Sequence, residues 1–235
     1  MTLVFMHIPK TAGTSFRSSL EARFRGQMAC DYPHRYAATS FIFKEIHKGA
    51  GPMPARVERV AEGLREMAPK VLCGHFPASR YLPYYPAENF ITFLRAPVAR
   101  TFSNFNHLRV IGGIQMPLER YARGPGANLQ SKLLEGADID AFTLVGITEF
   151  YAQSLELLES RTGIRLPNRR KNAAGSLIRR LRRKQAPIEF TPEVEAVIRE
   201  HTKEDQALYE RALAKFKEDY EKEVGRPLPS PSPPS

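Results

Sequence analysis

The chain has 235 residues with two cysteines, and its formal net charge is +10 at pH 7. This length fits one sizeable α/β domain with its own core and is short for two independent domains. Two cysteines exclude a disulfide framework and a cysteine-rich zinc module, so Cys30 and Cys73 are predicted to be free thiols. The positive charge favours an anionic partner, which could be a nucleotide, a nucleic acid, an acidic membrane or an acidic glycan.

The chain begins with a predicted strand, loop and helix. Residues 3–8 form a short apolar run that is typical of a strand buried on both faces. After the loop, Phe16, Leu20 and Phe24 recur at four-residue spacing, which predicts the buried face of a helix. A loop in this position can direct several backbone N–H groups and the positive end of the helix dipole at one anion. Lys10 adds a mobile charge, so the sequence predicts a phosphate-binding site.

Further elements alternate along the chain. We expect residues 26–52 to be irregular around a short helix at 41–47, and Pro54 to open a helix. The apolar stripe of that helix is predicted to contain Val57, Val60, Ala61, Leu64 and Met67 or Ala68. Strands are predicted at 70–74, 89–94 and 142–146, the last as the fourth of the sheet. Helices are predicted from Pro97, at 117–123, 129–134 and 150–161, from Pro192 with Thr191 as its cap, and from about Asp205 to Val224.

This alternation predicts an α/β fold with a mostly parallel central sheet flanked by helices. We expect a single domain over residues 1–225 and a disordered, Pro/Ser-rich tail over 226–235. No secretory signal or membrane span is recognisable in the sequence, which predicts a cytoplasmic protein, with a Golgi-type lumenal protein that has lost an N-terminal anchor as the alternative.

A second anion-binding element is predicted at the strand that ends before Arg95. Arg95 offers a planar fork for bidentate phosphate binding, and Ser103, eight residues later, adds a hydroxyl donor on the following helix. An arginine and a serine at this spacing are ordinary surface residues when they occur alone. Together with the Lys10 loop, they indicate a ligand with two phosphate groups.

Histidines supply the predicted base. His75 directly follows the predicted strand 70–74, where the carboxyl ends of parallel strands form a ligand crevice. An imidazole titrating near neutrality can accept the proton of a hydroxyl group, which makes His75 a candidate base, although a lone histidine is more often structural. His7, Arg100 and His107 are weaker predictions for contact with the acceptor substrate.

Four segments resemble a known family. The loop is not a Walker A motif, because its lysine precedes the glycine and hydroxyl residues. The run His-Ile-Pro-Lys-Thr-Ala-Gly-Thr-Ser-Phe at residues 7–16 resembles the 5'-phosphosulfate loop of sulfotransferases that use 3'-phosphoadenosine 5'-phosphosulfate (PAPS), particularly the carbohydrate branch that includes heparan sulfate 2-O-sulfotransferase-like proteins. Residues 94–103 resemble the family's 3'-phosphate element, and Gly74-His75-Phe76 resembles the segment with its catalytic histidine. Residues 168–172 resemble its late basic loop.

The resemblance implies a P-loop-like sulfotransferase fold and in-line sulfuryl transfer from PAPS to a hydroxyl group, with a carbohydrate or other anionic acceptor and PAP as the product. Lys10 and His75 are then the catalytic residues, and no metal is expected. The implied donor-binding residues are Lys10, Thr11, Ala12, Gly13, Thr14, Ser15, Arg95, Ser103, Arg170 and Lys171.

Two alternatives remain open at this point. One is a nucleotide-dependent kinase, which shares the strand, phosphate loop and helix but requires the missing Gly-Lys-Ser/Thr order. The other is a non-enzymatic polyanion-binding protein that uses the basic segment 165–184. That segment has no aromatic residue, whereas nucleic-acid sites commonly interleave aromatic and basic residues, so no nucleic-acid partner is expected.

Overall fold

A computed structural model describes residues 1–32, 40–112, 114–169, 188 and 190–231 of the chain. Five strands form one sheet in the order β2-β3-β1-β4-β5, and every pairing is parallel. The predicted α/β fold with a parallel sheet is therefore confirmed. The strands are β1 (Leu3–Met6), β2 (Met28–Asp31), β3 (Val71–Gly74), β4 (Phe90–Leu94) and β5 (Leu144–Ile147).

Helices cover the sheet. In chain order they are α1 (Gly13–Arg23), α2 (Lys44–Lys48), α3 (Met53–Met67), α4 (Pro97–Gly112), α5 (Leu118–Arg123), α6 (Leu129–Leu133), α7 (Tyr151–Thr162), α8 (Pro192–His201) and α9 (Lys203–Val224). Phe16, Leu20 and Phe24 are buried as predicted, and Thr191 caps α8 by accepting a hydrogen bond from the backbone N–H of Val194. Within the described ranges, no helix is long and apolar enough to cross a membrane.

The main sequence-based error is β2, which lies in the segment predicted to be irregular. Its residues Met28–Asp31 include no β-branched side chain, unlike the other four strands, and it forms at the sheet edge by pairing with β3. Its Cys30 is the register partner of Cys73, and their free thiols lie 3.2 Å apart. The strand predicted as the fourth is consequently the fifth.

A smaller correction concerns α3. Its buried stripe ends at Leu64, because Met67 is 53% exposed and Ala68 terminates the helix in the left-handed conformation at φ 44°.

The order of the strands creates a crevice. From β1 the chain proceeds to β2 on one side of the sheet, and from β4 it proceeds to β5 on the other side. The connections that leave the carboxyl ends of these two neighbouring strands therefore diverge, and ligands of α/β proteins bind at such switch points. The loop with Lys10 follows β1 and Arg95 follows β4, so both predicted anion elements lie at this point of the sheet.

Candidate active site

The loop after β1 adopts an unusual backbone conformation. Lys10 has φ 72° and Ala12 has φ 63°, both left-handed, whereas Thr11 and Gly13 do not have positive φ values. Alternation of this kind turns successive backbone N–H groups toward one concavity, a nest that binds anions. Two non-glycine residues in this region cost free energy, which is typical of a functional loop. The predicted phosphate loop thus has the backbone geometry of an anion site.

Hydrogen bonds hold this backbone in place. The Thr11 hydroxyl donates to the carbonyl of Ile8 at 2.9 Å, so Thr11 serves the loop through its side chain and can offer a ligand its backbone N–H. The N–H groups of Ser15 and Phe16 both reach the carbonyl of Ala12 as α1 begins. Thr14 is exposed at this helix start, while Ser15 is buried.

His7 packs directly against the loop. A Cβ atom added to Gly13 would lie 1.9 Å from Cδ2 and 2.1 Å from Nε2 of His7, far inside contact distance. Glycine is therefore required at position 13 because the imidazole occupies the space of a side chain. His7 is only 7% exposed, and its ring edge forms part of the wall beside the nest.

Arg95 joins the second anion element to the first. Its Nη1 donates to the carbonyl of Lys10 at 3.3 Å, although 85 residues separate the two in sequence. Gln130 fixes the Arg95 backbone from behind: its Oε1 accepts from the Arg95 N–H at 2.9 Å, and its Nε2 donates to the Arg95 carbonyl at 3.0 Å. Sequence reasoning missed Gln130, which belongs to no recognisable motif.

His75 lies at the same edge of the sheet, next to His7. His75 Nε2 is 3.2 Å from His7 Nδ1, and the Tyr32 hydroxyl lies 3.0 Å from that same nitrogen. Tyr32 follows β2, the strand that the sequence did not reveal, so its presence here was not predicted. We call His7, Tyr32 and His75 the histidine cluster.

Burial keeps both imidazoles neutral. Burial, with the nearby Arg17 guanidinium, lowers the pKa of His75 to about 4, and the Asp31 carboxylate opposes this shift. Burial also holds the pKa of His7 well below its ordinary value, and His75, Arg17 and Lys10 add to the effect. At neutral pH each ring therefore has a lone pair on one nitrogen and a proton on the other.

Asp31 supports this edge from below. Its buried carboxylate accepts hydrogen bonds from Arg80 at 2.8 Å and Tyr81 at 2.9 Å, and it lies 2.8 Å from Nε2 of His47. The backbone carbonyl of Asp31 accepts from the N–H of His75 at 3.0 Å. The side chain of Asp31 thus anchors the end of β2, and its backbone carbonyl holds the backbone of His75.

The remaining predicted residues differ in their surroundings. Ser103 and His107 are half-buried and lie one turn apart on one face of α4. Positive charge on His107 lowers the pKa of His75. Arg100 is fully buried, and its Nη2 donates to the carbonyl of Gly126 and the hydroxyl of Thr101 at 2.8 and 2.9 Å. These contacts favour a structural role for Arg100. Arg170 and Lys171 lie outside the described residues.

No metal site is evident among the residues that the structure describes. Across the ranges that the structure describes, no group of three or more His, Cys, Asp or Glu residues could hold a metal ion.

Comparisons with known proteins give low similarities. No protein-family model matches the sequence, and no curated protein matches it. Among solved structures, the mouse sulfotransferase SULT7A1 complexed with PAP is 14% identical with a TM-score of 0.44, over 95% of this chain and 84% of that one. A sulfotransferase from Alicyclobacillus acidocaldarius is 17% identical with a TM-score of 0.41, over 97% of both chains.

Proposed function

We propose that the protein is a sulfotransferase that moves a sulfuryl group from PAPS to a hydroxyl group, with PAP as the second product. One observation carries the proposal: the guanidinium of Arg95 contacts the carbonyl of Lys10 and so unites two anion-binding elements at the switch point. A donor with phosphate groups on its 5' and 3' sides matches such a pair. The histidine cluster at the same edge adds a base.

Each residue then has a distinct task. PAPS supplies the activated sulfuryl group. The nest of the loop binds the 5' side of the donor, and the Lys10 ammonium neutralises the charge that develops on the oxygen of the departing phosphate. Arg95 and Ser103 bind the 3'-phosphate, with Arg170 and Lys171 as further ligands from the basic segment. His75 accepts the proton of the acceptor hydroxyl as that oxygen attacks sulfur.

The acceptor is proposed to be a carbohydrate hydroxyl. This finer assignment is supported by the resemblance of residues 7–16 and 74–76 to carbohydrate sulfotransferases, and the net charge of +10 suits an acidic glycan. His107, on the same face of α4 as Ser103, is the proposed contact to the acceptor.

A ligand comparison tests the proposal. We expect PAP to raise the melting temperature more than ATP with magnesium or a DNA oligomer at the same concentration, because PAP should have the lowest Kd. A ligand at about 100 times its Kd adds about 2.7 kcal/mol of stability to the folded state. Preferential stabilisation by ATP with magnesium would replace the proposal with a kinase, and preferential stabilisation by DNA would replace it with a polyanion-binding protein. Incubation with labelled PAPS and a panel of glycan, phenol and peptide hydroxyls then identifies the acceptor.

A further inference from the structure

The hydrogen bonds of the histidine cluster determine which ring nitrogens carry protons. Nδ1 of His7 faces two partners at once, the Tyr32 hydroxyl at 3.0 Å and Nε2 of His75 at 3.2 Å. A neutral imidazole nitrogen carries either one lone pair or one proton. The two neighbours of Nδ1 therefore decide which tautomer His7 adopts.

Tyr32 determines the choice. Its phenol stays protonated, because burial raises its pKa above the ordinary range, so it has a proton to donate. The hydroxyl also interacts with the thiol of Cys73, but an imidazole nitrogen is a much stronger acceptor than sulfur. The phenol proton therefore goes to Nδ1 of His7, and the ring of His7 keeps its own proton on Nε2.

Nε2 lies on the side of the ring that faces the phosphate loop. It is the nitrogen that a Cβ on Gly13 would meet at 2.1 Å. His7 is 7% exposed, and this nitrogen lies beside the loop backbone at Gly13. An N–H group in this place adds a donor to the backbone N–H groups of the nest.

We propose that His7 is a neutral hydrogen-bond donor to the anion held in the loop, with its tautomer fixed by Tyr32. In the sulfotransferase reading, on which this assignment rests, that anion is the 5' side of the donor nucleotide. His7 is thus a ligand-binding residue at the donor, whereas the sequence had suggested contact with the acceptor. A neutral donor suits this position, since Lys10 and Arg17 already place positive charge beside the ring.

The same proton arrangement constrains His75. Two lone pairs facing each other at 3.2 Å would repel, so Nε2 of His75 carries a proton, and this N–H shares the single lone pair of His7 Nδ1 with the Tyr32 hydroxyl. The lone pair of His75 then resides on Nδ1.

Nitrogen NMR of the wild-type protein tests the tautomers directly. With ¹⁵N-labelled histidine, we expect both rings to be Nε2–H tautomers at pH 7, and inorganic phosphate to shift the Nε2 resonance of His7. In Tyr32→Phe we expect a measurable fraction of the Nδ1–H tautomer of His7. An Nδ1–H tautomer of His7 in the wild type, or an Nε2 resonance that does not respond to phosphate, would overturn the assignment.

Matched variants test the binding role. The amide of His7→Gln can place an N–H group near the position of Nε2, whereas His7→Leu cannot. We expect His7→Leu to bind PAP roughly tenfold to a hundredfold more weakly, and His7→Gln to recover most of that loss, because a hydrogen bond to a charged group is being removed and restored. Equal affinities for wild type and His7→Leu would contradict the donor role and leave the proposed function standing. Conversely, a wild type that binds phosphate through His7 but does not prefer PAP over ATP would refute the proposed function alone.

Discussion

Two buried polar clusters contact the proposed site, and they differ in where they open. The histidine cluster meets the loop at Gly13, where Nε2 of His7 lies beside the loop backbone. The second cluster, formed by Arg100, Gln130, Ser131 and Asp205, is closed, since both Arg100 and Asp205 are 0% exposed. Asp205 accepts hydrogen bonds from the backbone and hydroxyl of Ser131 at 2.8 and 2.9 Å, and Gln130 holds the Arg95 backbone. We call this the Arg100 cluster.

This difference in enclosure separates residues that can bind a ligand from residues that support the fold. Arg95 and Arg100 are five residues apart, yet one guanidinium reaches the carbonyl of Lys10 and the other lies 4.0 Å from the carboxylate of Asp205. Polar groups that face a crevice can bind a ligand, whereas those enclosed on all sides fix the position of a neighbour. Damage to the histidine cluster should therefore impair catalysis, and damage to the Arg100 cluster should impair stability.

The largest expected effect is on turnover in His75→Ala. Loss of the proposed general base should lower kcat on the order of 100-fold to 10,000-fold, while PAP affinity changes little because the proposed role of His75 is toward the acceptor. Turnover with labelled PAPS and calorimetric titration of PAP measure the two quantities. His201→Ala, which removes a partly exposed histidine of α8, is the control. Near-normal turnover in His75→Ala would assign the base to another residue.

Lys10→Met is expected to lower kcat roughly 100-fold to 1,000-fold, because the charge that stabilises the departing phosphate oxygen is lost. Methionine retains the side-chain length and adds no new backbone penalty at a position where a non-glycine residue already has φ 72°. The comparison is with Lys217→Met, an exposed lysine of α9. If both variants keep wild-type turnover, Lys10 has no part in the chemical step.

Asp205→Ala probes the closed cluster. Removing the carboxylate leaves Arg100 buried without its counter-charge, which should cost about 3–5 kcal/mol in the free energy of unfolding. Glu195→Ala on α8 breaks an exposed ion pair with Arg199 and should cost only about 0–1 kcal/mol. Urea denaturation of the two variants gives the comparison. Similar losses in both would mean that enclosure does not distinguish the Arg100 cluster.

Sequence reasoning anticipated what local patterns encode. Four of the five strands, the loop and the strand-end positions of His75 and Arg95 follow from apolar runs and turn residues close in the sequence. The failures involve contacts between distant residues: β2 forms by pairing with β3, and Tyr32 reaches His7 across 25 positions. Gln130 and the enclosure of Arg100 likewise depend on tertiary packing, which no motif in the sequence records.

The pH dependence gives the smallest and most diagnostic difference between the clusters. With its pKa lowered to about 4, His75 remains deprotonated well below the ordinary histidine value of 6.5, so kcat/KM should stay level through pH 6.5 and fall only toward pH 4.

The stability of the fold should also depend on pH through His75. The unfolded chain binds the proton of His75 near pH 6.5, and the folded chain binds it near pH 4. The unfolded state therefore holds more protons between these values, so the free energy of unfolding decreases as the pH falls through this window. His75→Gln should flatten that decrease relative to wild type, whereas Gln130→Leu, which removes no titratable group from the Arg100 cluster, should leave its slope unchanged. A kcat/KM inflection at pH 6.5 would mean that His75 is solvated and titrates like an ordinary histidine. Burial would then not be what keeps His75 neutral, and the proposed contrast between His75 and the Arg100 cluster would be lost.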